Sequence, residues 1–448
     1  MPGSQISMPQ DTASEGDETP RVLILGAYGL IGTEIARACI ARGWRVRGLG
    51  RDSAKMQARI DWVQTDLRHL SNAADWAALL EHTDVVANAA GALQDGPSGT
   101  VAEVHETAIA AMAQAAAVGQ VQRIVQISAV GARADASTAF LVSKAQGDNA
   151  IRKSGIDYVI LRPGLVLGRS VYGGTALLRM LAAVPLIQPL AHGDAEVQVV
   201  DMDDLVAAVL IAADGRVPAG TECDLVSAEP VKVRSLLAGV RAWLGFPAAR
   251  ADLEIPQSLS WLIGRLADGL GHLGWRSPLR TTALQALREG VTGDPAPWRA
   301  LRNENLPGLT SILARHNSTL QDRWHARLSL LFPLILAVLA LFWVSSGIIG
   351  LIWMADAAAV LSIHGQAPAW AYGAVIVGAV IDLALGLSVL WKRWARAACL
   401  GMLAVSFGYL LFGTILVPEL WADPLGPYVK IFPSMLLALV LLVVLQDR

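Results

Sequence analysis

Val22-Leu23-Ile24-Leu25-Gly26-Ala27-Tyr28-Gly29-Leu30-Ile31-Gly32 is the stretch that decides the fold. Four apolar residues form a strand, a Gly-x-x-Gly-x-x-Gly pattern follows, and residues 33–42 continue as a helical stretch. Glycine permits a tight turn and a close approach of the main chain to a pyrophosphate, while a helix N-terminus offers free N–H groups and a partial positive charge. In this strand-turn-helix setting the pattern predicts a dinucleotide site, with ordinary turn chemistry as the alternative. Its predicted residues are Gly26, Tyr28, Gly29, Leu30, Ile31 and Gly32.

Short apolar runs alternate with helical stretches from residue 21 to about residue 226. The runs lie at residues 22–25, 46–49, 62–63, 85–87, 124–127 and 158–161. Strands spaced by helices indicate βαβ units and a parallel sheet. We therefore predict an α/β domain over residues 21–230, a doubly wound parallel sheet of the Rossmann type.

The residue at the end of the second predicted strand bears on the choice of cofactor. An acidic residue there would bond a ribose 2′-hydroxyl, but here Arg51 follows Gly50. A guanidinium suits a 2′-phosphate, so Arg51 favours NADP(H), with NAD(H) as the alternative. The neighbouring Asp52 weakens the assignment of NADP(H). The alternative without a ligand is that Arg51 is a solvated surface residue.

Asp66 follows the third predicted strand, and Asn88-Ala89-Ala90-Gly91 ends the fourth. An open α/β sheet presents its ligand at this edge, so both segments are candidates for the cofactor cleft. Helix capping or turn formation would explain Asp66 and Asn88 equally well.

The order of these motifs resembles the short-chain dehydrogenase/reductase superfamily, in its extended or atypical branch. The likeness covers residues 21–226 and includes Ser128, in Ile127-Ser128-Ala129-Val130-Gly131, and Leu161-Arg162-Pro163-Gly164. It implies that Asp66 meets the adenine ring and that Asn88, Ala89, Ala90 and Gly91 form the floor of the cofactor cleft. It also implies catalytic roles for Ser128, at the substrate oxygen, and for Lys144, at the nicotinamide ribose. The main chain of Pro163 and Gly164 would meet the carboxamide.

One departure from the family pattern concerns the proton donor. The family's Tyr-x-x-x-Lys reads here Phe140-Leu141-Val142-Ser143-Lys144, so the phenol is missing. Losing a general acid typically costs ~10²–10⁴ in rate. Tyr172, Ser143 and His192 are candidate substitutes, and Lys144 is either a cofactor ligand or an exposed helix lysine.

The C-terminal part of the chain has the composition of a membrane domain. Hydrophobic residues make up 54% of the chain and charged residues 17%, and long apolar stretches lie at residues 328–354, 369–390, 398–417 and 431–445. A hydrocarbon core of ~30 Å needs about 20 helical residues, which predicts an all-α bundle of four transmembrane helices in residues 328–448. Asp382, inside the second span, should face the bundle interior with a partner or be protonated, in an interhelical hydrogen bond or in a quinone or proton site.

The lead-in to this region, Gln321-Asp322-Arg323-Trp324-His325-Ala326-Arg327, resembles bacterial reductase-like proteins fused to a DoxX-like membrane module. The resemblance implies a lipid bilayer as partner and quinone-level redox chemistry. Between the two domains, residues 231–327 read as a helical cap or connector. The cationic residues before span 1 and between spans 2 and 3 place both termini in the cytoplasm of a bacterial-type cell membrane, by the positive-inside rule.

The remaining features narrow the class of protein. Residues 1–20 are polar and lack the apolar region of a signal peptide, which predicts a disordered tail. Lys and Arg number 36 against 38 Asp and Glu, so no nucleic-acid partner is expected. The three cysteines lie far apart, which predicts no metal site, and the oligomeric state stays open. Two hypotheses remain: an NAD(P)H-dependent oxidoreductase acting on a quinone or lipid carbonyl, and a non-catalytic NADP(H)-binding scaffold or redox sensor.

Overall fold

The N-terminal domain is built on a parallel sheet. The computed structural model describes residues 19–51, 59–92, 99–170, 173–275, 281, 285, 288 and 290–445, so almost all of the predicted tail, Asp52 and Tyr172 lie outside the described residues. The strands are β1 Arg21–Leu25, β2 Arg45–Gly50, β3 Asp61–Gln64, β4 Val85–Asn88, β5 Arg123–Ile127, β6 Asp157–Pro163, β7 Leu165–Leu167, β8 Ile187–Leu190, β9 Glu196–Val197, β10 Val199–Asp201, β11 Thr221–Leu225, β12 Val231–Lys232 and β13 Ala251–Glu254. Seven of the described strands form one parallel sheet in the order β11-β6-β5-β4-β1-β2-β3, which confirms the predicted Rossmann fold.

Helices cover both faces of this sheet. The described helices are α1 Leu30–Ala41, α2 Ala73–Leu80, α3 Ala108–Val118, α4 Ala139–Lys153, α5 Gly174–Ala182, α6 Met202–Ala213, α7 Val233–Trp243, α8 Gln257–His272, α9 Ala296–Arg302, α10 Leu309–Arg315, α11 Leu320–Ile352, α12 Met354–Ile363, α13 Pro368–Ser388, α14 Lys392–Leu416 and α15 Ile431–Val444. Alternate residues of β1 point to opposite faces. Val22 and Ile24 pack in the core that contains α1 and α6, while Leu23 and Leu25 pack with α2 and α3.

A second lobe lies beside the sheet. It contains the short pairs β7 with β10, β8 with β13 and β9 with β12. Its core combines residues of α5, α7 and α10 and extends to Ala326 in α11. Part of the predicted connector, residues 231–327, therefore shares one hydrophobic core with residues 165–199.

The C-terminal part contains three described helices that are long and apolar enough to cross a membrane: α11, α13 and α14. The fourth predicted span forms α15, whose 14 residues extend ~21 Å, less than a hydrocarbon core of ~30 Å. Within the described residues, three of the four predicted spans are therefore long enough to cross a membrane, and the fourth is shorter than the sequence predicted. Helix α11 also begins eight residues before the expected boundary, because Thr319 and Asp322 form a capping box at its first turn.

Candidate functional site

The glycine-rich turn connects β1 to α1 with geometry that requires glycine. Gly26 has φ +74°, and a Cβ there would lie 2.9 Å from the Cα of Ala90. A Cβ on Gly32 would lie 2.2 Å from the carbonyl oxygen of Gly26. Helix α1 begins after Gly29, which offers no side chain to cap it, so first-turn N–H groups remain for an anion. The turn fits the pyrophosphate of a dinucleotide.

Tyr28 and Arg51 lie together at the end of β2. Arg51 Nε donates a hydrogen bond of 3.2 Å to the Tyr28 hydroxyl. The Tyr28 ring lies so close to Gly50 that a Cβ there would be 2.2 Å from Cδ1, and its centroid is 6.1 Å from that of Trp62. An exposed guanidinium is thus held beside the glycine-rich turn, where the sequence predicted a contact with a 2′-phosphate.

Asp66 caps the short 3₁₀ helix Leu67–His69 and forms an ion pair with Arg68. Its carboxylate accepts from the Arg68 main-chain N–H at 3.2 Å and from the Arg68 guanidinium, with Nε at 3.0 Å. These hydrogen bonds hold the pKa of Asp66 below its ordinary value, with the charge of Arg51 as a smaller cause. Asp66 is therefore a helix cap, which was the structural alternative to a cofactor ligand. A contact with adenine would have to be made by a carboxylate that is already paired with Arg68.

The floor of the predicted cleft is the segment Asn88 to Gly91. Asn88 is buried; its Nδ2 donates to Gln126 Oε1 at 2.7 Å and its Oδ1 accepts from the Ala90 N–H at 3.1 Å. Ala89 donates its N–H to the carbonyl of Leu25 at 3.1 Å. These contacts bring residues 88–91 against Gly26, so the two segments of the predicted site lie together.

Lys144 is 4% exposed, which excludes the interpretation as an exposed helix lysine. Its Nζ donates to the main-chain carbonyls of Ala90 at 3.1 Å and Ile127 at 3.0 Å, at the ends of β4 and β5. Burial lowers the pKa of Lys144 to about 8, and the charge of Asp148 opposes that shift. An ammonium has three N–H donors, so one remains for a further acceptor.

Phe140 lies one helical turn before Lys144 and packs edge-on against His105, with ring centroids 5.5 Å apart. The His105 Nε2 accepts from the Ala92 N–H at 3.0 Å, so Nδ1 carries the hydrogen and donates to Ser143 Oγ at 2.9 Å. The Ser143 hydroxyl in turn donates to the Phe140 carbonyl at 3.0 Å. Burial, with the charge of Lys144, lowers the pKa of His105 to about 2, which keeps the ring neutral.

This chain of hydrogen bonds bears on the candidate proton donors. The hydroxyl hydrogen of Ser143 is engaged inside the protein, and the residue is 3% exposed. His192 lies in the turn between β8 and β9 of the second lobe. Neither position resembles that of the missing phenol, four residues before Lys144 on α4.

Ser128 belongs to a buried network that sequence reasoning missed. Its Oγ donates to Asp148 Oδ2 at 2.7 Å, and Gln126 Nε2 donates to Asp148 Oδ1 at 3.2 Å. Arg162 Nε lies 3.7 Å from the same carboxylate. Burial raises the pKa of Asp148, and the Ser128 hydrogen bond opposes that shift. Because the Ser128 hydroxyl donates its hydrogen bond to Asp148, the lone pairs of Ser128 Oγ remain able to accept a hydrogen bond from a substrate.

Pro163 is the last residue of β6, and Gly164 separates it from β7. The Gly164 N–H donates to the carbonyl of Leu225 at 3.1 Å, and the Pro163 carbonyl accepts from the Val130 N–H at 3.4 Å. A Cβ on Gly164 would lie 2.5 Å from the carbonyl of Gln198. The Gly164 N–H is therefore already used within the protein. A nicotinamide carboxamide could instead donate a hydrogen bond to the second lone pair of the Pro163 carbonyl oxygen.

Asp201, Asp203 and His316 bring possible metal ligands together at the start of α6. The buried Asp201 carboxylate already contacts His316 Nε2 at 2.8 Å, the Asp203 N–H at 3.3 Å and Arg315 Nη1 at 3.4 Å. Protein donors therefore surround both of its oxygens. The cluster caps α6 and ties α10 to it.

Asp382 lies in the interior of the apolar helices and has partners on two of them. Ser346 Oγ, on α11, donates to Asp382 Oδ2 at 2.7 Å, and the Tyr409 hydroxyl, on α14, donates to Oδ1 at 2.9 Å. Helices α11 and α13 can pack closely because Gly347 has no side chain. A Cβ at this position would lie only 2.6 Å from the Ala379 carbonyl oxygen. The prediction of a buried, partnered Asp382 is confirmed.

Comparisons with known proteins agree with this architecture. Residues 26–177 match the NAD(P)H-binding family, and residues 340–439 match the DoxX-like family. The chain is similar to the Bordetella bronchiseptica enzyme WbmH solved with NAD+, at 17% identity and a TM-score of 0.51 over 66% of this chain and 97% of that one. It is also similar to WbmG of the same organism solved with NAD and UDP, at 15% identity and a TM-score of 0.52 over 66% and 94%. No curated protein sequence matches the chain.

The seven-stranded parallel sheet and the glycine-rich turn define a Rossmann-type domain, and residues 26–177 of this domain match the NAD(P)H-binding family. In this chain that domain is followed by a DoxX-like domain with apolar helices. Identities of 15–17% to the solved structures establish the shared fold and leave the substrate to be argued from this chain's own residues.

Proposed function

We propose that this protein is a membrane-anchored, atypical NADP(H)-dependent oxidoreductase that acts on an apolar substrate, a quinone or a lipid carbonyl. The observation that carries the proposal is helix α11. Asp322 in its first turn pairs with Arg179 of the second lobe at 2.5 Å, whereas residues 328–352 of the same helix carry no charged side chain and are long and apolar enough to cross a membrane. One continuous helix thus joins the nucleotide-binding part to the apolar helices. A site held at a bilayer surface favours a substrate dissolved in the lipid.

The residues of the cleft suit the proposed cofactor, which supplies a hydride when bound. The glycine-rich turn and the N-terminus of α1 would hold the pyrophosphate, and Arg51 the 2′-phosphate. Asp66 would lie at the adenine, Lys144 at the nicotinamide ribose, and the Pro163 carbonyl at the carboxamide. Without the Arg51 contact the same cleft would take NAD(H), which is the alternative cofactor.

The missing phenol bears on the choice between substrate classes. Hydride delivery to a carbonyl builds alkoxide charge that needs a positioned proton or donor. Phe140 provides neither, and Ser128 directs its hydrogen to Asp148. A quinone accepts hydride with less help, because the hydroquinone anion that forms is delocalised and takes its one remaining proton from water. Quinone is therefore the better substrate than a sugar or a secondary alcohol.

We infer that the nucleotide-binding domain and the C-terminus lie on the cytoplasmic side of a bacterial-type cell membrane. Arg323 and Arg327 precede the apolar part of α11, and Lys392, Arg393 and Arg396 begin α14. The opposite ends of the helices carry Asp356, Glu419 and Asp423 with the single Lys430. Cationic loops are retained in the cytoplasm.

A non-catalytic NADP(H)-binding scaffold or redox sensor is the second candidate, and the Phe140 environment favours it. Phe140 and Ser143 are tied to a neutral His105, and this group offers no proton to a substrate. The two candidates are separated by purifying the full chain in detergent and following NADPH absorbance with and without a short-chain benzoquinone. Oxidation that depends on the quinone supports the oxidoreductase. Tight NADPH binding without turnover, for quinones and lipid extracts alike, supports the scaffold.

A further inference from the structure

Helix α8, Gln257–His272, carries an apolar row that no part of the predicted site or of the apolar bundle uses. Leu259, Leu262 and Leu266 are 46%, 47% and 63% exposed. At 100° per residue these three side chains share one side of the helix, while the buried Ser260 and Ala267 lie on another. An exposed leucine row of this kind marks an interaction surface.

The next side of α8 is polar and is built for a boundary between water and an apolar phase. The Arg265 guanidinium lies over the Trp261 ring, 5.2 Å from its centroid, and Trp261 is 59% exposed. Asp268 accepts from Thr281 Oγ1 at 2.7 Å. An indole with a stacked arginine suits the headgroup level of a bilayer, where one end of each side chain is apolar and the other is hydrated.

The apolar row continues directly into the bundle of apolar helices. Leu270 and Leu273, which extend the row by one more turn, pack against the bundle core. The Leu273 carbonyl accepts from the Lys392 N–H at 3.0 Å, and Trp275 Nε1 donates to the Leu390 carbonyl at 2.6 Å. Leu390 lies between α13 and α14, and Lys392 is the first residue of α14, at the end of the apolar zone. The C-terminal end of α8 is therefore fixed at the rim of the bundle.

We propose that α8 lies in the interface of the lipid bilayer, with Leu259, Leu262 and Leu266 inserted among the acyl chains near the headgroups. This inference rests on the membrane insertion proposed above. The occupant is lipid because the row joins a lipid-facing bundle without a break, and because Lys392 and Arg393 at the same rim would attract anionic headgroups. Helices of this type insert ~5–10 Å deep. Helix α8 would then hold the second lobe against the membrane surface.

The test uses the full chain in nanodiscs whose lipids carry bromines near the headgroup end of the acyl chains. Single cysteines are labelled with a fluorophore after Cys39, Cys223 and Cys399, all buried, have been replaced. Labels at Leu262→Cys and Leu259→Cys should be quenched more than a label at Gln257→Cys on the other side of the same helix. Two reporters on the row keep the test valid if one variant misfolds.

Two further labels separate this inference from the membrane proposal. Phe412→Cys, at an exposed position of α14, reports insertion, and Val118→Cys, at an exposed position of the nucleotide-binding domain, reports water. Quenching at Phe412 with Leu262 and Leu259 as weakly quenched as Val118 would overturn the role of α8 alone. No quenching at Phe412 would overturn membrane insertion as well. Cross-linking between copies through Leu262→Cys, without quenching, would assign the row to a second copy of the chain instead.

Discussion

Lys144 Nζ donates a hydrogen bond of 3.1 Å to the main-chain carbonyl of Ala90, and this contact ties helix α4 to the turn after β4. Ala90 is also the residue whose Cα would clash with a side chain at Gly26. The buried lysine therefore holds the turn after β4, the floor of the predicted cofactor cleft, which also packs against the glycine-rich loop.

Replacing Lys144 with methionine should weaken NADPH binding and lower stability. The change leaves the carbonyls of Ala90 and Ile127 buried without their donor, at about 1–3 kcal/mol per unsatisfied group. Calorimetry with NADPH and thermal unfolding in detergent measure the two effects. Lys153→Met, at the exposed end of the same helix, should change neither. Unchanged affinity and stability in Lys144→Met would remove the proposed role.

The stability contributed at Lys144 should depend on pH above about 8. Burial lowers the pKa of this amine from 10.5 to about 8, so between these values the unfolded chain holds a proton that the folded chain has released. Stability must then rise with pH in this window. The wild type should gain over Lys144→Met as the pH increases from 8 to 10.5, measured as the difference in unfolding temperature. A difference that stays constant would contradict the buried amine.

Arg51→Ala should weaken NADPH by about 10- to 100-fold and leave NADH nearly unchanged, because a hydrogen bond to a charged group contributes ~1.5–3 kcal/mol. Arg47→Ala is the matched control, since Arg47 lies on β2, four residues before Arg51, but pairs with Asp61 at 2.7 Å. Titration of each variant with both cofactors measures the effect. Equal affinities of the unmodified protein for NADPH and NADH would end the NADP assignment.

The protein should not reduce simple ketones in the usual enzyme range of ~1–10³ s⁻¹, because Phe140 cannot donate a proton. Phe140→Tyr need not accelerate quinone reduction, whereas Lys144→Ala should impair it by loosening the cofactor. Steady-state assays with a ketone and a quinone test both statements. Rapid ketone reduction by the unmodified protein would require another proton donor.

Single cysteines should reveal the orientation in the membrane. Leu425→Cys, 75% exposed in the loop after Asp423, should react with an impermeant maleimide added to intact cells. Arg396→Cys, at the start of α14, should react only after the cells are opened. Both are made in the background without native cysteines. The reverse pattern would invert the proposed topology.

Tyr409→Phe should destabilise the apolar bundle by ~0.6–1.7 kcal/mol, the range of interhelical hydrogen bonds in membranes, because it removes one donor from Asp382. Asp382→Asn keeps oxygen at one of the two positions and should cost less. Unfolding in detergent measures both. If Asp382→Asn unfolds like the wild type yet loses quinone reduction, Asp382 serves a quinone or proton site rather than helix packing.

Six strands of the sheet could be predicted, and the seventh, Thr221–Leu225, could not. Its alternation of Cys223 and Leu225 with Glu222 and Asp224 is compatible with a strand, but two apolar residues are too short a pattern to predict one. Glu222 is tied to Arg152 at 2.5 Å and also to Arg162, from α4 and β6. The partners that stabilise this edge strand lie about 60 and 70 positions away along the chain, so they could not be identified from its own residues.

The glycine-rich turn, the alternation of strands and helices and the apolar stretches were determined by the sequence itself, because each depends on neighbours within one or two turns of the chain. The burial of Lys144, the hydrogen bond from Ser128 to Asp148 and the ring contact between Phe140 and His105 were decided only by the tertiary structure. A lysine or serine has the same local pattern whether it is exposed or buried. Its partners come from other strands and helices that meet only when the sheet has formed, and those partners set its charge state and its chemistry.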